Sequence, residues 1–283
     1  MRVTSEFSLL ALLGHPVRHS LSPLFQNAAL QKLGLPYVYL AFDVAPDNLK
    51  EALCGLKVLG FRGANLTVPH KELAVNFMDT LCDYASLLGA VNTVVNENGK
   101  LVGYNTDVTG FIQALRKNGA CLVGREVLLL GAGGAARAVA CALDEEGVSE
   151  IWLVNRSQDR ARLFLEWSRK ALSCPVNILS WAAFFEEAEK EPVLGKIYAI
   201  INATALGMKG EKIPLSWEHL SSLCWVIDLV YSKEGTPLVK RASERGIKSF
   251  DGKDMLVFQG AEIFRLFTGY RAPIDVMFKT LES

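Results

Sequence analysis

The chain has 283 residues, half of them apolar, and its 30 basic and 30 acidic side chains leave no formal net charge. That length suits two domains with a sizeable core each, and the even charge gives nothing to attract nucleic acid or an anionic membrane. No apolar run reaches the roughly 18–20 residues that span a bilayer, the run at 7–14 lacks a small-residue cleavage site, and six scattered cysteines without a C-x-x-C read as reduced, mostly buried core residues of a cytoplasmic protein that holds no metal.

Apolar strand patterns alternate with helical ones along the whole chain, which argues for α/β construction. In the first third the patterns predict strands at 7–13, 37–43 and 61–66 and helices at 23–33, 46–58 and 70–81. Ser22 is the expected N-cap of the first helix, with Pro23 in its first position. Asn98-Gly99 between Val91–Val95 and Leu101–Gly103 signals a hairpin, so the first sheet is expected to be mixed. A helix at 107–118, with Asp107 as its expected cap, then crosses to a second domain. There the alternation predicts strands near 126–130, 150–154, 176–179, 197–202, 224–229 and 247–249, and helices near 134–147, 157–172, 181–188 and 236–245, the pattern of a doubly wound sheet. Pro192 to Gly195 reads as a loop. Last come helices near 253–268 and 273–281, whose apolar faces (Met255, Leu256, Phe258, Ile263, Phe264, Phe267) are expected to cover the first domain and close a cleft. The expected domains are thus 1–106, completed by 254–283, and 107–253.

In the second domain, Val127–Leu130 runs into Gly131-Ala132-Gly133-Gly134-Ala135-Ala136, a helix follows, and the strand Ile151–Val154 ends at Asn155-Arg156-Ser157. These fit G-x-G-x-x-A in strand–helix–strand context, a turn that lets backbone approach a pyrophosphate at a helix N-terminus. An NAD site places a carboxylate at the end of the second strand. Here Arg156 stands there, with Arg160 one turn later, and guanidinium groups suit a 2′-phosphate. The cofactor expected is therefore NADP. Asn202-Ala203-Thr204 ends a further strand and is expected to contact its ribose or phosphates, and Asp228-Leu229-Val230-Tyr231 ends the next one.

In the first domain, Ser20 and Ser22 at a helix start offer a neutral site for a small carboxylate. Thr67 and Lys71 follow the strand that ends at Leu66, where doubly wound sheets collect ligands. A lysine at a helix N-terminus opposes the dipole there, which points to a task or a carboxylate partner. Its neighbour His70 reads as structural or exposed. Asn92 begins the hairpin, and Asp107 lies where a Lys–Asp couple can move a proton to or from a hydroxyl. Gln259 sits inside an apolar helix and needs a polar partner.

In order along the chain, Gly14-His-Pro-Val-Arg-His-Ser20-Leu-Ser22-Pro23, Gly63-Ala-Asn65-Leu-Thr67-Val-Pro-His-Lys71, Gly89-Ala-Val-Asn92-Thr93, Asn105-Thr-Asp107, the glycine turn, Asn155-Arg156-Ser157 and Asp251-Gly252 through Met255 to Gln259 resemble the shikimate dehydrogenase family over nearly the whole length. The resemblance implies reversible NADPH-dependent reduction of 3-dehydroshikimate to shikimate on the way to chorismate and the aromatic amino acids. It implies that Ser20 and Ser22 hold the substrate carboxylate, and that Thr67, Asn92, Tyr231 and Gln259 bind carboxylate, ring hydroxyls or carbonyl. Lys71 would be the acid/base group with Asp107 beside it. Gly131 to Ala135 would take the pyrophosphate, and Asn155, Arg156, Ser157 and Arg160 the 2′-phosphate, with Thr204, Leu229 and the acidic Asp83 as further cofactor contacts.

The chain departs from the family pattern at Val108, Ala205 and Asp254. The second removes a hydroxyl, and the third sets a side chain with a negative charge near the expected nicotinamide site. Two alternatives stay open: a quinate/shikimate dehydrogenase that also uses NAD, and a non-catalytic NADP-binding sensor. Asp159 stands three residues past Arg156 rather than directly after it, which argues against NAD. A homodimer stays open as an assembly, and two domains joined by helices suggest hinge closure on substrate.

Overall fold

The computed structural model describes residues 4–185 and 192–282. The chain divides into one unit made of the residues up to Gly110 together with those from Val257 onward, and a second unit, Phe111–Leu256.

The first unit begins with Ser8–Gly14 (β1), Ser22–Lys32 (α1), Tyr37–Asp43 (β2), Leu49–Val58 (α2) and Gly63–Leu66 (β3). It continues with His70–Leu73 (α3), Thr80–Leu81 (β4), Asp83–Leu88 (α4), the hairpin Thr93–Glu97 (β5) and Lys100–Tyr104 (β6), and the start of Asp107–Asn118 (α5). Its sheet runs β2-β1-β3-β5-β6-β4. β1 pairs in parallel with β2 and β3, whereas β5 runs antiparallel to both β3 and β6. The sheet is mixed because a hairpin, rather than a helical crossover, supplies β5 and β6. Ala11, Leu13, Leu53, Ala64, Leu66 and Val94 form the heart of its core.

The second unit holds Glu126–Leu130 (β7), Gly134–Glu145 (α6), Glu150–Val154 (β8), Gln158–Ala171 (α7), Val176–Ile178 (β9), Trp181–Phe185 (α8), Ala199–Asn202 (β10), Trp225–Asp228 (β11), Pro237–Ser243 (α9) and Lys248–Phe250 (β12). Every pairing in it is parallel, in the order β12-β11-β10-β7-β8-β9. The central strands β7, β8 and β10 are near-continuous Val, Ile and Leu runs, the pattern of a parallel sheet buried on both faces. Order reverses between β7 and β10, so the crevice where such sheets take ligands opens past Leu130 and Asn202. The chain closes with Lys253–Thr268 (α10) and Ile274–Glu282 (α11). Their residues from Val257 onward belong to the first unit, where Phe264 and Phe267 are buried.

Several local expectations are corrected. The helix expected at 70–81 ends at Leu73 and tightens into a 3-10 turn at Ala74–Phe77. Asn76 Nδ2 there donates to the Leu73 carbonyl (3.3 Å), a side-chain competitor for the helical ladder. Asp79 then draws the chain beside β6: its amide donates to Leu101 O (2.8 Å) and its carboxylate accepts from the Leu101 amide (2.7 Å). Residues 192–196 form a 3-10 helix rather than a loop. Residues 186–188 of the helix expected at 181–188 lie outside the described residues. The cysteines are free, but only Cys141 is buried; Cys54, Cys121 and Cys224 are exposed. No helix among the described residues is long and apolar enough to cross a membrane.

Candidate active site

The first unit carries the polar cluster. Lys71 is the second residue of α3, just past the end of β3, and its Nζ lies 2.6 Å from Asp107 Oδ2. Asp107 opens α5 and is 5% exposed. Its carboxylate does not cap the helix. One oxygen takes Lys71, the other accepts from Asn92 Nδ2 at 2.9 Å, and the Asp107 amide is held instead by Asn105 Oδ1 at 3.0 Å. A buried carboxylate with a cation on one oxygen and an amide donor on the other has both charge and direction satisfied. Asn92, just before β5, reaches it because the Leu66 amide donates to the Asn92 carbonyl (2.8 Å) and the Val91 amide to the Lys71 carbonyl (2.7 Å). The ends of β3, α3, β5 and α5 therefore meet at one place.

Thr67 stands at that place, half-buried, one residue beyond β3. Gln259, half-buried on α10, lies against α5 at Gly110, where a Cβ would come within 2.9 Å of the Gln259 amide nitrogen. Only glycine permits that approach, and it sets Gln259 one turn from Asp107. Ser20 and Ser22 are half-buried at the start of α1, and the Ser22 amide donates to Ser20 Oγ (3.3 Å). Leu21 occupies the N-cap position, so Ser22 is the first helical residue and Pro23 the second, one step later than expected. Asp83 is exposed at the first position of α4. His70 is fully buried: one ring nitrogen, Nε2, contacts the Val44 carbonyl at 2.8 Å, and burial lowers its pKa below the usual histidine value. Its role is structural.

In the second unit Gly131 has φ of +107°, and a Cβ there would sit 2.9 Å from the Ala203 carbonyl oxygen. Any side chain would close the space between the two strand ends. Gly133 precedes α6 in extended conformation, and no side chain caps the first turn of that 12-residue helix. Ala132, Gly134 and Ala135 are half-buried beside it, while Ala136 is fully buried, as the third fingerprint position requires for close helix–sheet packing. Open backbone, a helix N-terminus and small residues fit a pyrophosphate.

Past β8, Asn155 and Arg156 line a cavity of about 450 Å³ with Gln158, Arg162, Ile178 and Trp181. Ser157 caps α7 by accepting from the Arg160 amide (3.3 Å), and both residues are exposed outside the cavity lining. Arg162, which sequence reasoning passed over, lines the cavity; its spacing from Arg156 does not read as a helical neighbour. Asp159 lies 3.8 Å from Arg162 across one turn, both side chains exposed.

Asn202 is corrected: it is fully buried and works within the protein. Its Oδ1 accepts from Thr204 N (3.1 Å) and Oγ1 (2.7 Å), and its Nδ2 donates to Leu206 O (3.0 Å) and Asp228 Oδ1 (2.8 Å). It shapes the loop that carries Thr204, which stays half-buried at the crevice. Burial raises the Asp228 carboxyl pKa. Leu229 and Tyr231 follow β11, half-buried, and burial raises the Tyr231 phenol. Asp254 is corrected as well. Its carboxylate takes Lys117 Nζ (2.7 Å) and Asn118 Nδ2 (2.5 Å), so the charge is neutralised at the end of α5. Val108 is fully buried, and Ala205 is exposed.

Residues 12–94 match the shikimate dehydrogenase substrate-binding domain, and residues 113–183 match the shikimate/quinate 5-dehydrogenase family. The shikimate dehydrogenase (NADP(+)) of Moorella thermoacetica is 45% identical over all of this chain and 95% of its own. That of Caldanaerobacter subterraneus subsp. tengcongensis is 43% identical over all of this chain and 99% of its own. The crystal structure of shikimate 5-dehydrogenase from Listeria monocytogenes, in complex with shikimate and NAD, superposes with a TM-score of 0.90 at 36% identity, covering 99% of this chain and 98% of that one. Similarity of this depth along the full length, met by a matching fold in both units, places the chain in the shikimate dehydrogenase family.

Proposed function

We propose that the protein catalyses the reversible NADP-linked interconversion of 3-dehydroshikimate and shikimate, a step toward chorismate and the aromatic amino acids, with Lys71 as the acid/base group. The observation that carries this reading is the 2.6 Å contact between Lys71 Nζ and the buried Asp107 carboxylate. NADPH, when bound, supplies a hydride to the carbonyl carbon. The π-electron pair of the carbonyl moves to its oxygen, and Lys71 gives that oxygen a proton; in the reverse direction Lys71 removes it. Asp107 keeps the ammonium aimed and its charge balanced, while Asn92 fixes the carboxylate from the other side. A donor held this way needs no reorganisation when charge builds on the oxygen.

In this reading Ser20 and Ser22 receive the substrate carboxylate, and Thr67, Asn92, Gln259 and Tyr231 receive the carboxylate, ring hydroxyls or carbonyl. Gly131, Ala132, Gly133, Gly134 and Ala135 receive the pyrophosphate. Asn155, Arg156, Ser157 and Arg160 receive the 2′-phosphate, with Thr204, Leu229 and Asp83 as further cofactor contacts. Arg156 just past the end of β8, with Arg160 and Arg162 on α7, supports NADP over NAD, because guanidinium groups suit a 2′-phosphate.

Lys71→Met tests the assignment. Turnover should fall about 10²- to 10⁴-fold, the range for a lost general acid, while NADPH binding by fluorescence titration stays near wild type. A variant that turns over normally removes Lys71 from the mechanism.

A further inference from the structure

Behind the Lys71–Asp107 pair three buried polar side chains cross the centre of the first sheet: Tyr39 on β2 at 1% exposure, Asn65 on β3 at 5% and Thr93 on β5 at 0%. Phe, Leu and Val would fill these positions without the cost of burying polar atoms, so their chemistry calls for an account. Asn65 and Thr93 are direct cross-strand partners, and Tyr39 reaches Asn65 across β1. Tyr39 Oη donates to Asn65 Oδ1 at 2.7 Å. Asn65 Nδ2 donates to the Asn92 carbonyl (3.2 Å) and to Thr93 Oγ1 (3.3 Å). Thr93 Oγ1 donates to Asn92 Oδ1 at 2.8 Å, and Asn92 Nδ2 donates to Asp107 Oδ1 at 2.9 Å and to Thr106 Oγ1 at 3.0 Å.

The direction of this chain is set at two points by backbone groups that have only one role. The Asn92 carbonyl only accepts, so Asn65 must turn its NH₂ inward and its oxygen to Tyr39. The Thr106 amide only donates, at 3.0 Å to Asn92 Oδ1, so Asn92 must turn its NH₂ to Asp107. Between these points the Thr93 hydroxyl has one satisfying orientation, as acceptor from Asn65 and donor to Asn92. The chain from Tyr39 through Asn65, Thr93 and Asn92 then ends on one carboxylate oxygen of Asp107 and leaves the other for Lys71.

We propose that Thr93, backed by Asn65 and Tyr39, is a positioning relay: it fixes the Asn92 amide, which fixes the Asp107 carboxylate, which aims Lys71. None of the three touches substrate in this account; they act through Asn92. The proposal rests on the acid/base reading of Lys71, and its test keeps the two apart.

Thr93→Val, Thr93→Ser and Tyr39→Phe are assayed with shikimate and NADP in the otherwise native chain, and Thr93→Val is repeated in a Lys71→Met background. Thr93→Val should lower kcat about 10-fold with KM for NADP unchanged, the pattern of a lost transition-state interaction. Thr93→Ser, which keeps the hydroxyl, should return kcat to within about twofold of wild type, and Tyr39→Phe should cost about threefold. In the Lys71→Met background Thr93→Val should cost nothing further, because groups acting as one unit are not additive. Native kcat in Thr93→Val, a Thr93→Ser as slow as Thr93→Val, or an undiminished loss in the Lys71→Met background overturns the relay. Should Thr93→Val fail to fold by circular dichroism, Tyr39→Phe decides, and an unchanged kcat there overturns it. Normal turnover in Lys71→Met alone is a different failure, that of the acid/base reading itself.

Discussion

The two units build their sites from different materials. In the first, the candidate functional groups are side chains held by hydrogen bonds whose directions allow one arrangement: half-buried Lys71, buried Asp107 and Asn92, and the residues behind them. In the second, the turn assigned to the pyrophosphate is made of backbone shape at Gly131 and Gly133, and the groups assigned to the 2′-phosphate are exposed arginines on a strand end and a helix surface. Chemistry that moves a proton demands sub-ångström placement, and a low-dielectric network enforces it. Holding a nucleotide demands space and charge, which small residues and solvated cations supply. The first site should therefore be brittle and the second graded.

Gly131→Ala gives the largest effect that breaks this contrast if it fails. A side chain at positive φ costs about 1–3 kcal/mol of strain, and the Ala203 carbonyl stands in its way. Taken from cofactor affinity at 1.4 kcal/mol per factor of ten, this weakens NADP about 10- to 100-fold. Isothermal titration checks it, and shikimate affinity should not move. Unchanged NADP affinity would show that the turn is shaped for the fold alone.

Replacing Arg156 and Arg160 together by Ala should raise KM for NADP about 10-fold, as expected for lost charge-assisted hydrogen bonds of about 1.5–3 kcal/mol each, partly solvated here. Activity with NAD should stay the same. Equal effects on both cofactors would place these arginines away from the 2′-phosphate. Arg162→Ala sharpens the point, since Arg162 lines the cavity and Arg160 does not.

The smallest effect concerns pH. His70 is buried with Nε2 on the Val44 carbonyl, and Nδ1 has no hydrogen-bond partner among the described residues, so a second ring proton would find no acceptor. Its pKa in the fold lies below the usual value near 6.5. The unfolded chain therefore binds the proton first as pH falls. Stability is complete above about pH 6.5 and declines below it. Calorimetric Tm between pH 7.5 and 5.5 should fall less steeply in His70→Gln than in the native chain; identical slopes would remove His70 as a source.

Periodicity carried the sheets and long helices into view, and the glycine turn was legible because strand, turn and helix follow one another in sequence. Lys71 was legible through its mismatch with a helix N-terminus, which a partner 36 residues away resolves. β4 and α4 escaped because two and six residues are too few to show a period. Thr93 and Tyr39 escaped for another reason: Thr and Tyr are ordinary strand residues, and only the register that sets Asn65 against Thr93 turns them into a network. The pairing of Asp254 with Lys117 likewise spans 137 positions, which no local pattern reveals.

The route of the chain imposes an order on its synthesis. Arg62, just before β3, donates to the Phe267 carbonyl (3.0 Å), Gln26 of α1 donates to the Gly260 carbonyl (2.8 Å), and α11 lies on α1. The unit whose larger part is translated first therefore lacks part of its core until α10 and α11 have followed, whereas the continuous stretch Phe111–Leu256 can close on itself while the tunnel still holds α11. A stop codon just after Leu256 would leave the whole of the second unit attached to an unfinished first one, with Phe25 and the Gly63 end of β3 stripped of the Gly260 and Phe267 contacts that cover them.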